Sequence, residues 1–316
     1  MTTSSATPPL GKYLASTEKK TRDKAVKNLA IFLSDFQDEI PKPEMDKLWK
    51  GLFYSFWMSD KPLVQQALAT ELAELVLTIT TTSSSLAFLR GFWETITREW
   101  NGIDRLRMDK YYMLVRRFVN ASFRLLIRTE WDKSACDEYN RILMGINGPL
   151  CPSDIRVPTG LAYHLADIYV EELDKTLSTP SASAPPQPPV PLKTILYPFF
   201  VLASQTQTSI TYKRIQSALF EPLFSALSPP SPVEDQARSQ KRIRLSTTET
   251  NELYPNLVSN SCFDDTSEGK LGCLILKKKL LRTIFEIASQ LETRDSNRRK
   301  MYAFWKEGSE DEDIDD

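Results

Sequence analysis

The sequence predicts an all-α protein, built as a HEAT-like α-solenoid of antiparallel helix pairs with an irregular insert near the C-terminus. Apolar residues recur at helical spacing in nearly every strong segment. Glycine is scarce, with 10 in 316 residues, and no Asn-Gly turn separates alternating runs. The segments are about 15–20 residues long and follow one another over short turns. Because no repeat of fixed period is visible, an irregular helical bundle is the alternative.

Proline, glycine and polar breaks divide the first half of the chain into helices. Pro41 and Pro43 open the third helix, since proline is tolerated in a first helical turn, and Asp60-Lys61-Pro62 is the turn that ends it. A polar break at 80–85 offers helix N-caps, and Asn101-Gly102 closes the following helix. The predicted helices cover approximately residues 9–15, 18–36, 44–58, 62–79, 86–100 and 103–128.

The last of these helices is the segment around which the chain is organised. From residue 103 to residue 118, charged and apolar residues alternate with helical spacing. Asp104 and Arg107 project toward the apolar side, where charge is costly unless paired, so we expect this pair to brace the helix against a neighbour. Arg105 and Asp109 lie on the opposite face with the i,i+4 spacing of an ion pair.

Two apolar residues of this helix, Leu106 and Met113, fall among the polar ones. A helix with apolar residues on both sides is typical of an inner helix that has neighbours on both sides. Such a position is found in a stacked array of helix pairs, and it therefore supports the solenoid.

The second half of the chain divides at a proline-rich segment. Residues 179–191 hold six prolines and predict a linker or exposed loop between a helical-repeat region, 9–178, and a C-terminal helical region, 192–306. The polar residues at about 228–270 predict a disordered insert. We further expect a disordered N-terminus at 1–8 and an acidic tail at 307–316. The predicted helices cover approximately residues 132–144, 158–177, 192–204, 209–227, 274–291 and 294–306.

Composition and charge place the chain among intracellular globular proteins. It is 41% hydrophobic and 26% charged. The formal net charge of −1 conceals an asymmetry, because seven acids lie in the last ten residues and leave 40 basic and 34 acidic side chains in residues 1–306. A mildly basic body suits work near nucleic acid. The four cysteines lack metal-ligand spacing, and neither a membrane span nor a signal-peptide core is present.

The sequence offers no catalytic constellation, metal site or cofactor site. His164 is the single histidine, which excludes sites that need two and leaves little for Ser-His or Cys-His nucleophilic catalysis. It lies on a strongly amphipathic helix, and we interpret it as a structural histidine. There is no glycine-rich phosphate loop. The chain is therefore expected to bind partners rather than to catalyse a reaction, and a deep pocket lined by carboxylates would revive an enzymatic role.

Basic clusters are the candidate binding surfaces, because phosphate contacts need only long cationic side chains on an accessible face. A solvated helix face is the alternative for each cluster. Arg105, Asp109 and Arg116 are also expected to be available to a partner or to the next helix. The clusters comprise Lys19, Lys20, Arg22 and Lys24, then Arg238, Lys241, Arg242 and Arg244, and finally Arg298, Arg299 and Lys300.

Four motifs resemble those of the nucleolar ribosomal RNA-processing protein 1 family. The most specific is REWNGIDRLRMDKYYML at 98–114, and the others are EKKTRDKA at 18–25, HLADIYVEEL at 164–173 and NRRKMY at 297–302. The resemblance covers most of residues 9–227 and returns near 274–306. Within these motifs, the candidate structural signature is Asp104, Arg107, Tyr112, Asp167 and Tyr169.

The resemblance implies a nucleolar, non-enzymatic scaffold that supports precursor rRNA processing during assembly of the large ribosomal subunit. Its implied partners are pre-ribosomal assembly factors and ribosomal proteins, with precursor rRNA as a further candidate and no membrane or small-molecule substrate. A general helical-repeat adaptor that binds proteins without contacting RNA is the alternative. Salt separates the two, because direct RNA binding weakens steeply as salt rises.

Overall fold

Helices dominate the computed structural model of this chain, which describes residues 10–14, 16–35, 40–178, 187–228 and 253–310. Their bounds agree with the sequence prediction to within a few residues. The helices of the first half are α1 (Leu10–Leu14), α2 (Lys19–Asp35), α3 (Lys42–Trp57), α4 (Pro62–Thr78), α5 (Thr82–Glu99), α6 (Arg105–Arg128) and α7 (Lys133–Met144). Those of the second half are α8 (Thr159–Leu177), α9 (Leu192–Gln205), α10 (Ser209–Ile215), α11 (Glu221–Ala226), α12 (Pro255–Ser259), α13 (Cys273–Ser289) and α14 (Asp295–Glu310).

Alternate helices form the two layers of the array. The even-numbered helices α2, α4, α6, α8 and α10 pack side by side in one layer, and α1, α3, α5, α7 and α9 pack in the other. Turns of a few residues connect most consecutive helices across the layers, so the helices joined in this way are antiparallel, whereas longer segments separate α7 from α8 and α8 from α9. This is the stacked helix-pair arrangement of a helical repeat, as the sequence predicted. The hairpin of α13 and α14 packs on α9 and extends the array at its C-terminal end.

Aromatic side chains fill the space between the layers. The rings of Phe92 and Phe118 stack with centroids 3.7 Å apart, and Trp49 packs against both. The indole Nε1 of Trp49 donates to the carbonyl of Phe88 at 3.0 Å, which satisfies its polar atom in the core. The buried apolar residues of the described chain form one continuous cluster, because each helix contributes one face to this interior.

The array continues across the proline-rich segment. Helix α7 packs on α9, and α8 packs on α10, although residues 179–191 separate these pairs in sequence. The end of the segment, Val190–Pro191, forms strand β1, which pairs in parallel with β2, Ser261–Cys262. The indole of Trp131 donates to the carbonyl of Pro188 at 3.3 Å and holds the segment against the helices.

Residues 253–270 differ from the sequence expectation of a disordered insert. They form α12 and β2, and the carboxylate of Asp174 on α8 accepts hydrogen bonds from the backbone of Leu257 and the side chain of Asn256. Leu257 and Cys262 are fully buried. The long-range partners lie some 70–80 residues away, so local composition does not reveal them. Residues 229–252 lie outside the described part of the chain.

The predicted single helix at 209–227 is interrupted. A π-helical segment, Gln216–Phe220, separates α10 from α11. Pro222 lies two residues after the end of this segment. Proline has no backbone N–H, and its ring crowds the preceding turn of a helix. The wider π-helical turn makes room for the proline ring, so the chain continues into α11.

Five turns that join an odd-numbered helix to the following even-numbered helix lie along one edge of the array, which we call the cap edge. They comprise residues 58–61, 100–104, 145–158, 206–208 and 290–294. Side-chain contacts link neighbouring positions on this edge. The rings of Tyr112 and His164 are in contact, the hydroxyls of Tyr163 and Thr211 hydrogen bond at 3.1 Å, and Asn297 donates to the carbonyl of Thr206.

Candidate functional site

The first turn of α6 contains the pair that the sequence singled out. Asp104 is the N-cap residue, and its Oδ1 accepts from the backbone N of Arg107 at 3.1 Å. The Arg107 guanidinium pairs with the other carboxylate oxygen and lies 4.7 Å from the centre of the Trp57 ring on α3. The pair forms as expected, but both side chains are partly exposed. Its role is therefore helix capping and stacking rather than a buried brace.

Lys110, which the sequence reasoning missed, links α6 to α3 at the cap edge. The side chain is buried, and its ammonium donates to the carbonyls of Phe56, Trp57 and Ser59 at 2.7–3.0 Å. The Phe56 and Trp57 carbonyls lie in the last turn of α3, where intrahelical donors run out, and the Ser59 carbonyl lies in the turn that follows. The Phe56 carbonyl also accepts from the backbone N of Ser59. Burial lowers the pKa of Lys110 to about 8, so the amine is mostly protonated at neutral pH. The sequence signal that could have identified Lys110 is its i,i+4 spacing from the apolar Leu114, which places both residues on the same face of α6.

A network of charged side chains joins α6 to α8. Arg116 donates to Glu172 at 2.7 Å and also pairs with Glu171 at 2.9 Å. The amide of Asn120 donates to the second Glu172 oxygen at 3.0 Å, and Lys175 pairs with both acids. Glu172 is buried, whereas Glu171 is partly exposed. Arg116 is thus engaged by the next helix, which was one of its two expected fates.

His164 lies between α6 and α8. Its ring packs against the Tyr112 ring at a tilt of 47°, with the ring centres 4.5 Å apart, and its Nε2 lies 3.0 Å from the carbonyl oxygen of Tyr112, so the neutral ring donates there. Burial lowers the pKa of His164, and the Tyr112 carbonyl opposes this only in part. These contacts are those of a structural histidine. Tyr169, further along α8, is buried and donates to the carbonyl of Ile195 at 3.2 Å.

The lowered pKa of His164 predicts a loss of stability in acid. The folded state favours the neutral ring, so its contribution is present above the unfolded pKa of about 6.5 and is lost as pH falls through the lower folded pKa. In His164→Gln, the amide keeps a donor for Tyr112 but does not titrate. We expect the drop in Tm between pH 7.5 and pH 5 to be smaller for this variant than for the wild type, measured by circular dichroism. An equal drop in both proteins would contradict this.

The start of α14 docks on α9 and α10. Asn297 is buried and donates to the carbonyls of Ser204 and Thr206, which end α9. The Arg298 guanidinium donates to the carbonyls of Ala288, Gln290 and Thr293 at 2.9–3.1 Å, around the end of α13. The Lys300 ammonium lies 5.0 Å from the centre of the Tyr212 ring. Arg298 and Lys300 therefore hold this corner together.

The basic start of α2 is divided in the same way. Arg22 is buried and donates to the carbonyls of Ser16 and Thr17 at 2.9 Å, so it closes the turn before the helix. Lys19 pairs with Asp23. Lys20 and Lys24 are exposed and have no ion pair within the described chain.

Few of the candidate binding cations remain available. Arg105 and Asp109 are both exposed, and the ion pair expected between them does not form in the described structure. Arg299 is exposed as well. The free cations among the candidates are therefore Lys20, Lys24, Arg105 and Arg299, distributed over α2, α6 and α14. Asp167 is engaged with Arg214 at 2.5 Å, and the cluster from Arg238 to Arg244 lies outside the described residues.

The described residues contain no group of three or more His, Cys, Asp or Glu side chains placed to hold a metal ion. All four cysteines are free thiols, of which Cys136, Cys151 and Cys262 are buried. None of the described helices combines the length and apolarity that a bilayer crossing requires.

Comparison with known proteins assigns these features to a family. A family model described as nucleolar protein, Nop52, matches residues 5–305. The human ribosomal RNA processing protein 1 homolog A is 31% identical over 324 residues, covering 93% of this chain and 68% of the relative. Human homolog B is 36% identical over 250 residues, covering 78% and 32%, and the Dictyostelium discoideum homolog is 25% identical over 308 residues, covering 93% and 56%. The chain thus spans between a third and two thirds of these relatives.

Proposed function

The chain belongs to the Nop52 family of nucleolar proteins, and on that premise we propose that it is a non-enzymatic scaffold in nucleolar assembly of the large ribosomal subunit. In this role it supports precursor rRNA processing by holding assembly factors and ribosomal proteins in place. The names of its relatives refer to ribosomal RNA processing. The observation that carries the scaffold role is the continuous two-layer array, which extends from α1 to the hairpin of α13 and α14.

The geometry explains how such an array can act as a scaffold. Each helix pair contacts its neighbours, so the array holds distant points on its surface at fixed separation. Buried polar contacts such as those of Lys110, Glu172 and Asn297 join helices that are neighbours in the array and resist bending between them. A rigid rod with an extensive surface is suited to binding several partners at once.

The experiment that tests the scaffold role follows the chain and its depletion together. The tagged protein should sediment with large-subunit precursor particles in a sucrose gradient. Its depletion should accumulate precursors of the large-subunit rRNAs and leave mature small-subunit rRNA unchanged, measured by northern hybridisation. A chain that sediments away from these particles, or whose depletion leaves large-subunit precursors unaltered, would contradict the proposal.

Direct contact with rRNA should depend on the four candidate binding cations that have no ion pair in the described structure. If Lys20, Lys24, Arg105 and Arg299 all contact phosphates, the logarithm of the association constant should fall with the logarithm of salt with a slope of about −3 for single-stranded RNA. Changing all four to glutamine should remove most of that slope, measured by fluorescence anisotropy. Lys175→Gln serves as a control, because that lysine is paired with Glu171 and Glu172. Wild-type protein that fails to bind RNA at low salt would favour the adaptor alternative.

A further inference from the structure

Exposed aliphatic side chains recur along the cap edge. Leu63, Leu106 and Ile210 are each the second residue of an even-numbered helix, α4, α6 and α10 respectively. Ile155 lies in the turn before α8, four residues ahead of Thr159, and is a further exposed aliphatic residue. The exposed fractions of Leu63, Leu106, Ile210 and Ile155 are 80%, 94%, 70% and 86%, respectively. Single exposed aliphatic residues are common, but one at the start of three helices of the same layer and one in the turn before the fourth is a pattern.

Helix geometry directs these side chains outward. Each Cα–Cβ bond tilts toward the N-terminus of its helix, so the side chain of a residue in the first turn projects beyond the end of that helix. Since α4, α6, α8 and α10 pack side by side, Leu63, Leu106 and Ile210 form a row along the edge, and the turn that contains Ile155 lies between the last two. The sequence had suggested that a neighbouring helix covers Leu106; the structure instead leaves it almost fully exposed.

The charges beside this row argue against a polyanionic occupant. Acids and cations are nearly balanced in number along the edge, so the edge carries little net positive charge for a phosphate backbone, although Arg105 beside Leu106 is exposed and has no ion pair in the described structure. A surface of apolar residues among balanced ion pairs is typical of a protein interface, with an apolar centre and a polar rim. The pairs are Asp104 with Arg107, Asp154 with Arg156, Asp167 with Arg214, and Asp295 with Arg298.

The spacing of the row favours one type of protein segment. Neighbouring helices in a packed layer lie about 8–10 Å apart, and two turns of an α-helix advance about 10.5 Å. An extended strand repeats the same face every 6.6–6.8 Å or so, which does not match. A polyproline helix repeats the same face at an interval close to the spacing between neighbouring helices. However, polyproline segments are recognised by grooves lined with aromatic residues, whereas this row is aliphatic.

We propose that the cap edge is a docking surface for an amphipathic α-helix of a partner protein, with apolar residues at seven-residue intervals and charges of both signs beside them. Four contact points span three steps of the array, or about 24–30 Å, which a helix of about 20 residues covers. The inference rests on the proposed function, because it names the kind of assembly factor that the scaffold holds.

The first test is a photo-crosslink from position 106. A benzophenone amino acid replaces Leu106 in the full chain in living cells, and mass spectrometry identifies what is crosslinked. The expected product joins residue 106 to a helical protein segment with leucine-class residues every seven positions. A crosslink to RNA, to a second copy of this chain or to a segment lacking that pattern would overturn the inference, as would the absence of a crosslink. Ile31 on α2, also exposed, is the control position.

The second test measures affinity for the segment so identified, synthesised as a peptide of about 20 residues. The variant Leu63→Ser, Leu106→Ser, Ile210→Ser should bind it about 100-fold more weakly than the wild type, because three apolar anchors are lost. The control Ile31→Ser, Ile275→Ser should bind like the wild type. Both should retain the wild-type Tm, since the changed side chains are exposed. Equal affinity of the triple variant and the wild type would overturn the inference.

The two proposals fail in different ways. Wild-type protein that sediments away from large-subunit precursors overturns the proposed function. Wild-type protein that enters these particles, together with a triple variant that binds the peptide as tightly as the wild type, overturns the docking surface alone.

Discussion

Replacing Lys110 by methionine should lower the free energy of unfolding by about 3 kcal/mol, which is typical for loss of a buried charge-assisted hydrogen-bond group. Methionine fills a similar volume but donates no hydrogen bond, so the Trp57 carbonyl loses its side-chain donor, whereas the Phe56 and Ser59 carbonyls keep the backbone N–H of Ser59 and the side chain of Gln65, respectively. The Trp57 carbonyl lies at the end of α3, where the helix supplies no further N–H donor. Denaturant unfolding followed by circular dichroism measures the change.

The matched control for this substitution is on the same helix. Arg117 is exposed on α6 and forms no ion pair in the described structure, so Arg117→Met removes a cation without uncovering a buried acceptor. We expect Arg117→Met to change the free energy of unfolding by less than about 0.5 kcal/mol. If Lys110→Met is equally mild, Lys110 does not cap α3.

Glu172→Leu should lower the free energy of unfolding by about 3 kcal/mol, because it removes the buried partner of three side chains. Asn120 on α6 loses its acceptor, and Arg116 on α6 and Lys175 on α8 keep only Glu171. Glu171→Leu is the control: this acid has the same charged partners but is partly exposed, and its loss should cost less than about 1 kcal/mol. Chemical denaturation of both variants provides the comparison.

A double variant separates the net stabilisation by the Arg116–Glu172 pair from the penalty of leaving one of the two charges without its partner. In Arg116→Met with Glu172→Leu, neither charge remains buried alone, so much of the lost stability should return. If the double variant is less stable than Glu172→Leu by the full cost of Arg116→Met, the two residues are not coupled, and the proposed link between α6 and α8 is wrong.

The predictions that succeeded were those governed by local chemistry. Helical periodicity, proline at first helical turns and polar breaks placed the helices, because these features act over a few residues. The sequence prediction did not assign Asp104 as the N-cap of α6, although this position follows from the same local chemistry, since the residue is an acid with β-region geometry at a helix start. The four family motifs identified the family that the comparisons show.

The candidate site was harder to predict, because charge alone does not reveal the use of a side chain. Arg22, Arg116 and Arg298 are candidate binding cations by sequence, yet each donates to groups within the fold. Lys110 and Glu172 could have been suspected, because both fall in helical register with apolar residues, but their acceptors and donors lie more than 50 residues away. Long side chains reach either solvent or a neighbouring helix, and the neighbour decides.

By itself, the sequence determined that this chain forms a helical array and belongs to a nucleolar family, because hydrophobic periodicity and linear motifs are written along the chain. Only the tertiary structure decided which charges are used inside the fold and which aliphatic residues remain outside it. Leu106 shows the reason: its surroundings depend on whether α4 and α8 cover the first turn of α6, and helix packing leaves that turn open at the edge.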